Sequence, residues 1–258
     1  MTIVGGVLGV LLVSAMFMFR PATSPSFDDP VGLASFPPPP FEPLGPDRLY
    51  EAYSRLGPVT VGGLPATLSV SRADNLVLPS GRVLASDAFY LDTPPFTVSL
   101  PAGKHPVLLL HVSGGQIGPN IAAAMVRVEG GNPVRWEGAR TGASAPGTGP
   151  YVHAVDSGTS AFASAESVAR MSALPRDGAD ALVDQLIDGY RAGVDYTLTA
   201  TITVDQASGA NIVTFSSGYG DGGYPSWFGF DSRGTAIALL TSFDLVDDPS
   251  TPPGSRTP

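Results

Sequence analysis

Residues 196–204 read YTLTATITV, and residues 212–216 read IVTFS. In the first run apolar side chains alternate with threonine, a period of two that predicts a β-strand with one buried face. The polar residues 205–211 predict a turn, so the second run returns beside the first as the other half of a hairpin. The clearest pattern in the chain therefore predicts antiparallel β-structure.

Weaker patterns on both sides of this hairpin predict further strands and a few helices. Residues 107–110 (VLLL) lack alternation, as expected of a strand covered on both faces. Residues 161–171 and 178–191 place apolar side chains at helical spacing and predict two helices, and Asp47 predicts the cap of a short third one. The patterns predict one α+β domain over residues 47–246, with strand-rich, mostly antiparallel sheets and two or three helices. The remaining predicted strands are residues 67–78, 82–86, 121–128, 134–136, 151–155 and 235–243.

The first 20 residues predict a transmembrane anchor. Residues 3–19 carry no charge and one polar side chain, Ser14, and a helix of this length is near the lower limit for crossing a hydrocarbon core. Arg20 is the only basic residue near the segment, and by the positive-inside rule it favours a cytoplasmic position for the rest of the chain. An atypical signal peptide, or a translation start placed too far upstream, is the alternative. The segment thus predicts a single-pass protein of the cell membrane.

Proline-rich and polar segments flank the predicted domain. Residues 21–46 include four consecutive prolines at positions 37–40, which predict a semi-rigid linker between membrane and domain. Residues 247–258 read DDPSTPPGSRTP and predict a disordered tail. The chain is therefore expected to comprise an anchor, a linker, one domain and a tail.

Composition and the few histidines argue against several classes of function. The formal net charge of −9 argues against nucleic acid as a partner, because phosphates need a basic protein surface. The chain has no cysteine, which removes disulfides, thiolate catalysis and cysteine-ligated metals. His105 and His111 are separated by about 20 Å along a predicted strand, too far to share one ion, and His153 would join either only through the tertiary fold. We therefore expect no metal site and no cofactor.

Residues 216–231 read SSGYGDGGYPSWFGFD. The density of glycine predicts a loop that approaches other backbone closely, and the aromatic residues predict a surface for a sugar or a peptide. Tyr219 and Tyr224 are the expected stacking faces. Alternate side chains of residues 227–230 would point to opposite sides, so about half of the aromatic set is expected in the core.

Six short motifs occur in order along the predicted domain. They are LPSGRV (78–83) followed by Asp87, LPAG (100–103), PVRWE (133–137), VDSGT (155–159), GFD (229–231) and TSF (241–243). In this order they resemble the bacterial family catalogued as domain of unknown function 4241, over residues 59–246. The resemblance implies a fold and a bacterial origin but no known activity, and the anchor and linker are additions to the family core. Ser242 stands where the resemblance leads us to expect an acidic residue, with Asp244 following Phe243, which weakens an active role for that aspartate.

Two glycine-containing connections predict the functional surface. One is the turn 156–158, after a short predicted strand, and the other is the glycine-aromatic loop. Functional loops of this kind commonly collect at one end of a sheet. A structural interpretation also exists, in which Asp156 and Ser157 turn the chain and cap the helix predicted after them. The candidate binding residues are Asp156, Ser157, Tyr219, Asp221, Tyr224 and Asp231.

Two hypotheses of function follow from these residues. The first is a non-enzymatic domain that binds an unknown protein or small ligand, with no catalytic residue. The alternative is a hydrolase in which aspartates cluster around Ser157 or a bound cation. An enzyme would need these carboxylates close together in a cleft, whereas in a binding domain each can close its own turn. The aspartates of the second hypothesis are Asp87, Asp156, Asp221 and Asp231.

Overall fold

The structure, a computed structural model, describes residues 43–114, 117–145, 147–191 and 198–250. The helices are α1 (Pro46–Ala52), α2 (Ala165–Ser172) and α3 (Arg176–Arg191). The strands are β1 (Pro58–Val61), β2 (Leu64–Leu78), β3 (Val83–Asp87), β4 (Gly103–Gly114), β5 (Ile117–Arg127), β6 (Arg135–Gly138), β7 (Val152–Val155), β8 (Thr159–Ser164), β9 (Thr199–Thr203), β10 (Asn211–Ser216), β11 (Gly222–Phe230) and β12 (Ala236–Ser242).

The described strands form two antiparallel sheets. The first sheet has eight strands in the order β1-β2-β4-β5-β12-β11-β6, with β7 also pairing with β11. The second sheet has four strands in the order β3-β8-β10-β9. The predicted class, a single α+β domain with mostly antiparallel sheets and two or three helices, is confirmed, and the described residues contain three helices.

The hairpin predicted from the threonine alternation is present as β9 and β10. Ile202 of β9 lies opposite Ile212 of β10, and both side chains are buried. Thr199, Thr201 and Thr203 are exposed on the other face of β9. The period of two in the sequence therefore corresponds to one buried and one exposed row, as the pattern predicted.

The main apolar core lies between the two sheets. Phe162 and Phe215 of the second sheet contact each other at 5.2 Å between ring centroids, and Phe228 of the first sheet packs edge-on against Phe96 at 5.7 Å. A smaller cluster lies on the opposite side of the second sheet, where Met171 of α2 packs with residues of β3, β8 and β10. Strands β3, β8 and β10 of the second sheet are consequently buried on both faces and have no exposed residue.

One buried amide joins the two sheets. The Asn211 Oδ1 atom of β10 accepts a hydrogen bond from the Val77 N–H group, and Asn211 Nδ2 donates to the Asn75 carbonyl oxygen, each at 2.8 Å. Asn75 and Val77 belong to β2 of the first sheet. Because the Asn211 side chain satisfies one donor and one acceptor, it fixes the register of one sheet over the other.

The helix predicted over residues 161–171 is wrong in its first part. Thr159–Ser164 is strand β8, which pairs with β3 on one side and β10 on the other. Helix α2 begins only at Ala165, and its cap is Ser164, whose Oγ accepts a hydrogen bond from Ser167 N at 3.0 Å. The small residues of this segment fit the period of a helix and that of a strand equally well. Pairing with two neighbouring strands therefore decides that the segment is a strand. The second predicted helix, 178–191, is confirmed as α3.

The packed structure extends slightly past both predicted boundaries of the domain. Leu44 N–H donates to the Val246 carbonyl oxygen at 3.0 Å. Asp247, assigned to the tail from the sequence, is buried and accepts hydrogen bonds from the N–H groups of Gly62 and Gly63. The predicted anchor, residues 3–19, lies outside the described residues, as do residues 21–42 of the linker. Of the helices that the structure does describe, none has the length and apolar character needed to cross a bilayer.

Candidate functional site

Two connections between the sheets run side by side at one end of the molecule. Residues 156–158 lead from β7 of the first sheet to β8 of the second, and residues 217–221 lead back from β10 to β11. The Gly158 N–H group donates to Asp221 Oδ1 at 2.9 Å, and Ser217 N–H donates to the Gly158 carbonyl oxygen at 3.2 Å. We call these two connections together the crossover surface.

Asp87, at the end of β3, holds the first connection in place. Its Oδ2 atom accepts the backbone N–H groups of Asp156 and Ser157, each at 2.9 Å. Its Oδ1 atom accepts the Phe89 N–H group at 2.8 Å and the Ser157 hydroxyl at 2.9 Å. The Asp87 side chain is buried, and four donors surround its carboxylate. These four hydrogen bonds compensate the burial of the carboxylate. Asp87 therefore fixes the conformation of the turn 156–158.

Tyr224 is buried and supports the second connection, residues 217–221, from inside the domain. Its hydroxyl lies 3.0 Å from the Ser217 carbonyl oxygen and 2.7 Å from that of Gly220, and donates its hydrogen to them. Burial, followed by the charges of Asp244 and Asp221, raises the pKa of Tyr224 above its ordinary value, so the hydroxyl keeps its proton. Gly218 has φ of +55°, and a Cβ there would lie 2.9 Å from the Cβ of Phe243. The loop therefore needs glycine at this position and is held rigidly.

The outward side of the crossover surface carries one aromatic ring and two carboxylates. Tyr219 is 69% exposed, the most exposed of the large apolar side chains in the described residues. Asp156 and Asp221 are also exposed. Asp221 uses its Oδ1 atom to fix Gly158 and presents the rest of the carboxylate to solvent. The crossover surface therefore combines an exposed aromatic ring with exposed negative charge.

Two predicted site residues do not belong to the exposed part of the crossover surface. Asp231 closes the turn between β11 and β12, at the opposite end of a nine-residue strand that spans about 30 Å. There it accepts the N–H groups of Thr235 and Arg233 and pairs with the Arg233 guanidinium, and these contacts hold the pKa of Asp231 below its ordinary value. Tyr224 is close to the site but buried, so its ring cannot offer the stacking face expected from the sequence.

Most of the predicted glycine-aromatic loop is a strand. Gly222–Phe230 forms β11, which pairs with β12 along one edge and with β7 and β6 along the other. Phe228 and Phe230 are buried, Trp227 is half-buried, and a bulge between Gly229 and Phe230 interrupts the alternation. Of the segment quoted from the sequence, only residues 217–221 form a loop before the closing turn. The glycines suggested flexibility, but the pairing partners are distant in sequence and no local signal reveals them.

The aspartates do not form the cluster that a hydrolase or cation site would need. The Asp87 carboxylate is occupied by donors from the turn, and Asp231 lies at the other end of β11. The Ser157 hydroxyl contacts Asp87 and the Thr159 hydroxyl. Within the described part of the chain, no group of three or more histidine, aspartate or glutamate side chains is arranged to hold a metal ion.

A buried histidine lies behind the crossover surface. His153 of β7 contacts the Ser160 hydroxyl through Nε2 at 2.9 Å, and its Nδ1 atom has no hydrogen-bond partner among the described residues. Burial lowers the pKa of His153 to about 4, and a contact with the Tyr224 backbone opposes this only in part. The imidazole is therefore neutral at pH 7. The sequence alone does not connect His153 with Ser160, because they are seven residues apart and come together only through a turn between the two sheets.

The fold and the site define a two-sheet α+β domain with a crossover surface between the sheets. Residues 76–241 match the family described as Protein of unknown function (DUF4241), and the chain belongs to this family. The resemblance drawn from the six motifs is confirmed, since the match lies within residues 59–246. Searches of curated proteins and of solved structures find no match.

Proposed function

We propose that the protein is a non-enzymatic binding domain and that the crossover surface is its recognition site. The observation that carries the proposal is Tyr219, whose ring stands 69% exposed on a loop held by hydrogen bonds from Tyr224 and to Gly158. A rigid, exposed aromatic side chain loses little conformational freedom on binding, so such residues contribute strongly to interfaces. Tyr219 is the expected anchor of the complex.

The chemistry around Tyr219 favours a cationic group on the ligand. Asp156 and Asp221 place exposed carboxylates on the same two connections that carry Tyr219. An arginine or lysine side chain gains from a carboxylate and from the face of an aromatic ring together. The proposed ligand is therefore a basic segment of a partner protein, or a small ligand with an amine or guanidine group. The formal net charge of −9 would also speed the approach of such a partner.

The N-terminal residues complete the proposal. Residues 3–19 would anchor the protein in the cell membrane, and the proline-rich linker would hold the domain away from the bilayer. Binding would then take place close to the membrane, on the side that Arg20 weakly assigns to the cytoplasm.

The hydrolase alternative has no comparable support. Its nucleophile would be Ser157, but that hydroxyl shares a structural network with Thr159 and with Asp87. Asp87 in turn receives three further donors, so taking a proton there would break the bonds that hold the turn. The hydrogen bonds of Asp87, Asp221 and Asp231 instead hold turns of the fold.

A random peptide library, selected against the purified full-length protein, tests the proposal. We expect enrichment of peptides containing arginine or lysine. Their affinity should fall at least about tenfold in Tyr219→Ala, the loss typical of removing one anchor residue. Asp221→Asn should also weaken binding, since the amide oxygen still accepts the Gly158 N–H group while the charge is gone.

Tyr90→Ala is the matched control, because Tyr90 is another tyrosine with a highly exposed side chain, at 56%. It should leave peptide binding unchanged. Selected peptides that bind Tyr219→Ala as tightly as the unmodified protein would show that the recognition site lies elsewhere.

A further inference from the structure

Edge strands carry unpaired backbone groups, and the edges at β1, β3 and β6 in the described structure are protected. The outer edge of β1 is covered where Thr60 O accepts the Asp247 N–H group. The edge of β3 is covered in the same way by Phe96, whose N–H group donates to the Val83 carbonyl oxygen. Strand β6 carries the ion pair Arg135–Glu137, which discourages further pairing. These devices are the usual means of preventing association through a sheet edge.

Strand β9 is an edge that shows no such device among the described residues. Leu198 O accepts the Ser216 N–H group, and Val204 N–H donates to Ala210 O, so alternate residues from 198 to 204 face β10. The peptide groups of Thr199, Thr201 and Thr203 therefore face outward. Residues 199–203 contain no charge, no proline and no bulge.

Helix α3 leaves this edge open, because it packs on one face of the strand. A Cβ atom on Gly189 would lie 2.9 Å from the Cβ of Ala200, whose side chain points away from the threonine row. The three threonine side chains on the opposite face are exposed. The threonine row is thus exposed, and no described residue forms a hydrogen bond with the outward backbone groups of Thr199, Thr201 or Thr203.

We propose that this edge of β9 pairs with β9 of a second copy of the chain. The strand is self-complementary in the antiparallel direction: with a two-fold axis at Thr201, Thr199 lies opposite Thr203 of the second copy and Thr201 lies opposite itself. Such pairing forms about six backbone hydrogen bonds and joins two four-stranded sheets into one of eight. Opposed threonines are favourable cross-strand pairs, and residues 199–203 themselves place no charge against the second copy. The paired strands themselves contain no residue of the crossover surface, so the dimer does not rest on the proposed ligand site.

A single introduced cysteine tests the geometry of the dimer. The chain has no cysteine, so Thr201→Cys supplies the only thiol. At the two-fold axis the two Cα atoms would be about 5.5 Å apart, which suits a disulfide. We expect the full-length variant in detergent to form a covalent dimer under mild oxidation. Thr235→Cys is the control, because Thr235 is exposed at the turn after β11.

A charge at the same position tests the dimer without covalent bonding. Thr201→Lys places two ammonium groups opposite each other, and we expect it to be monomeric by sedimentation up to about 100 µM, while its circular-dichroism spectrum stays that of the folded protein. The unmodified protein and Thr235→Lys should be dimeric.

Three results would overturn the proposal. They are a dimer that persists in Thr201→Lys, an unmodified protein that stays monomeric, and equal cross-linking of the two cysteine variants. A monomer would also be the result if the edge accepts a strand from a different protein.

Discussion

Asp87 joins segments that are about 70 residues apart in the sequence. Each of its two carboxylate oxygens accepts two hydrogen bonds, and three of the four donors belong to the turn 156–158 or to Phe89 as backbone N–H groups. The charge of Asp87 is compensated by this shell of donors within a buried environment. The shape of the crossover surface depends on this one residue.

Asp87→Asn should destabilise the protein by about 2–4 kcal/mol. The amide group that replaces one oxygen is a donor, so it would face two donors that have lost their acceptor. Urea unfolding of the two proteins measures the difference in the free energy of unfolding. Asp156→Asn is the control, because this exposed neighbour should change stability by less than about 0.5 kcal/mol. Equal stability of the two variants would show that Asp87 does not hold the turn.

His153 makes the stability of the fold depend on pH. Its pKa is about 4 in the folded protein and near 6.5 in the unfolded chain, so the unfolded state takes up the proton first as the pH falls. The stabilisation is complete above about pH 6.5 and declines toward pH 4, by up to about 3 kcal/mol.

We therefore expect His153→Gln, which cannot titrate, to lose less stability between pH 7 and pH 4.5 than the unmodified protein. His111→Gln is a control at a histidine that is only half-buried, and it should change this dependence less. Urea unfolding at both pH values is the measurement. A pH dependence in His153→Gln identical to that of the unmodified protein would contradict the assignment.

Strand β8 shows how the elements depend on their neighbours. The sequence Ala161-Phe162-Ala163 has small residues at positions that fit a helix, yet the segment lies between β3 and β10 and is buried on both faces. Strand β11 is similar, since glycines that suggested a loop are covered by β7 and β12. In both cases the alternative local structure would leave the neighbouring strands without hydrogen-bond partners.

The connection between β2 and β3 contains a position that only glycine can occupy. Gly81 has φ of +82°, and a Cβ there would collide with the Leu100 carbonyl oxygen. We expect Gly81→Ala to cost more than about 3 kcal/mol, because backbone strain and a backbone clash act together. At Gly62 the φ of +57° is also strained for alanine, but no atom lies within 4 Å of an added Cβ. Gly62→Ala should therefore lower the free energy of unfolding by only about 1–2 kcal/mol. Thermal unfolding of both variants would reveal the difference, and equal losses would rule out the clash.

At the scale of the molecule, the two ends of the described chain close the domain together. Leu44 is buried and bonds to Val246, and the Asp247 N–H group donates to Thr60 of β1. We expect a fragment of residues 43–250 to unfold in one cooperative transition. A fragment of residues 47–250 should be less stable by about 1–3 kcal/mol, because it loses the Leu44 side chain and its hydrogen bond. Two separate transitions in calorimetry, or equal stability of both fragments, would show that these contacts do not close the domain.

Much of the fold class could be predicted from local patterns. The alternation in residues 196–204 predicted β9, the apolar run at 212–216 predicted β10, and the six motifs identified the family. These features are local because strand periodicity and turn chemistry depend on residues that are adjacent in the chain. Net charge and the absence of cysteine are likewise properties of composition.

The candidate site was decided by the tertiary structure. Asp221 and Asp231 both precede turn-like sequence, but one lies beside Gly158 and the other lies at the far end of β11. Tyr219 and Tyr224 are both in glycine-rich sequence, yet one ring is exposed and the other supports the loop from the core. The physical reason is that hydrogen-bond partners and burial come from strands that are distant in sequence, and periodicity within one segment carries no information about them.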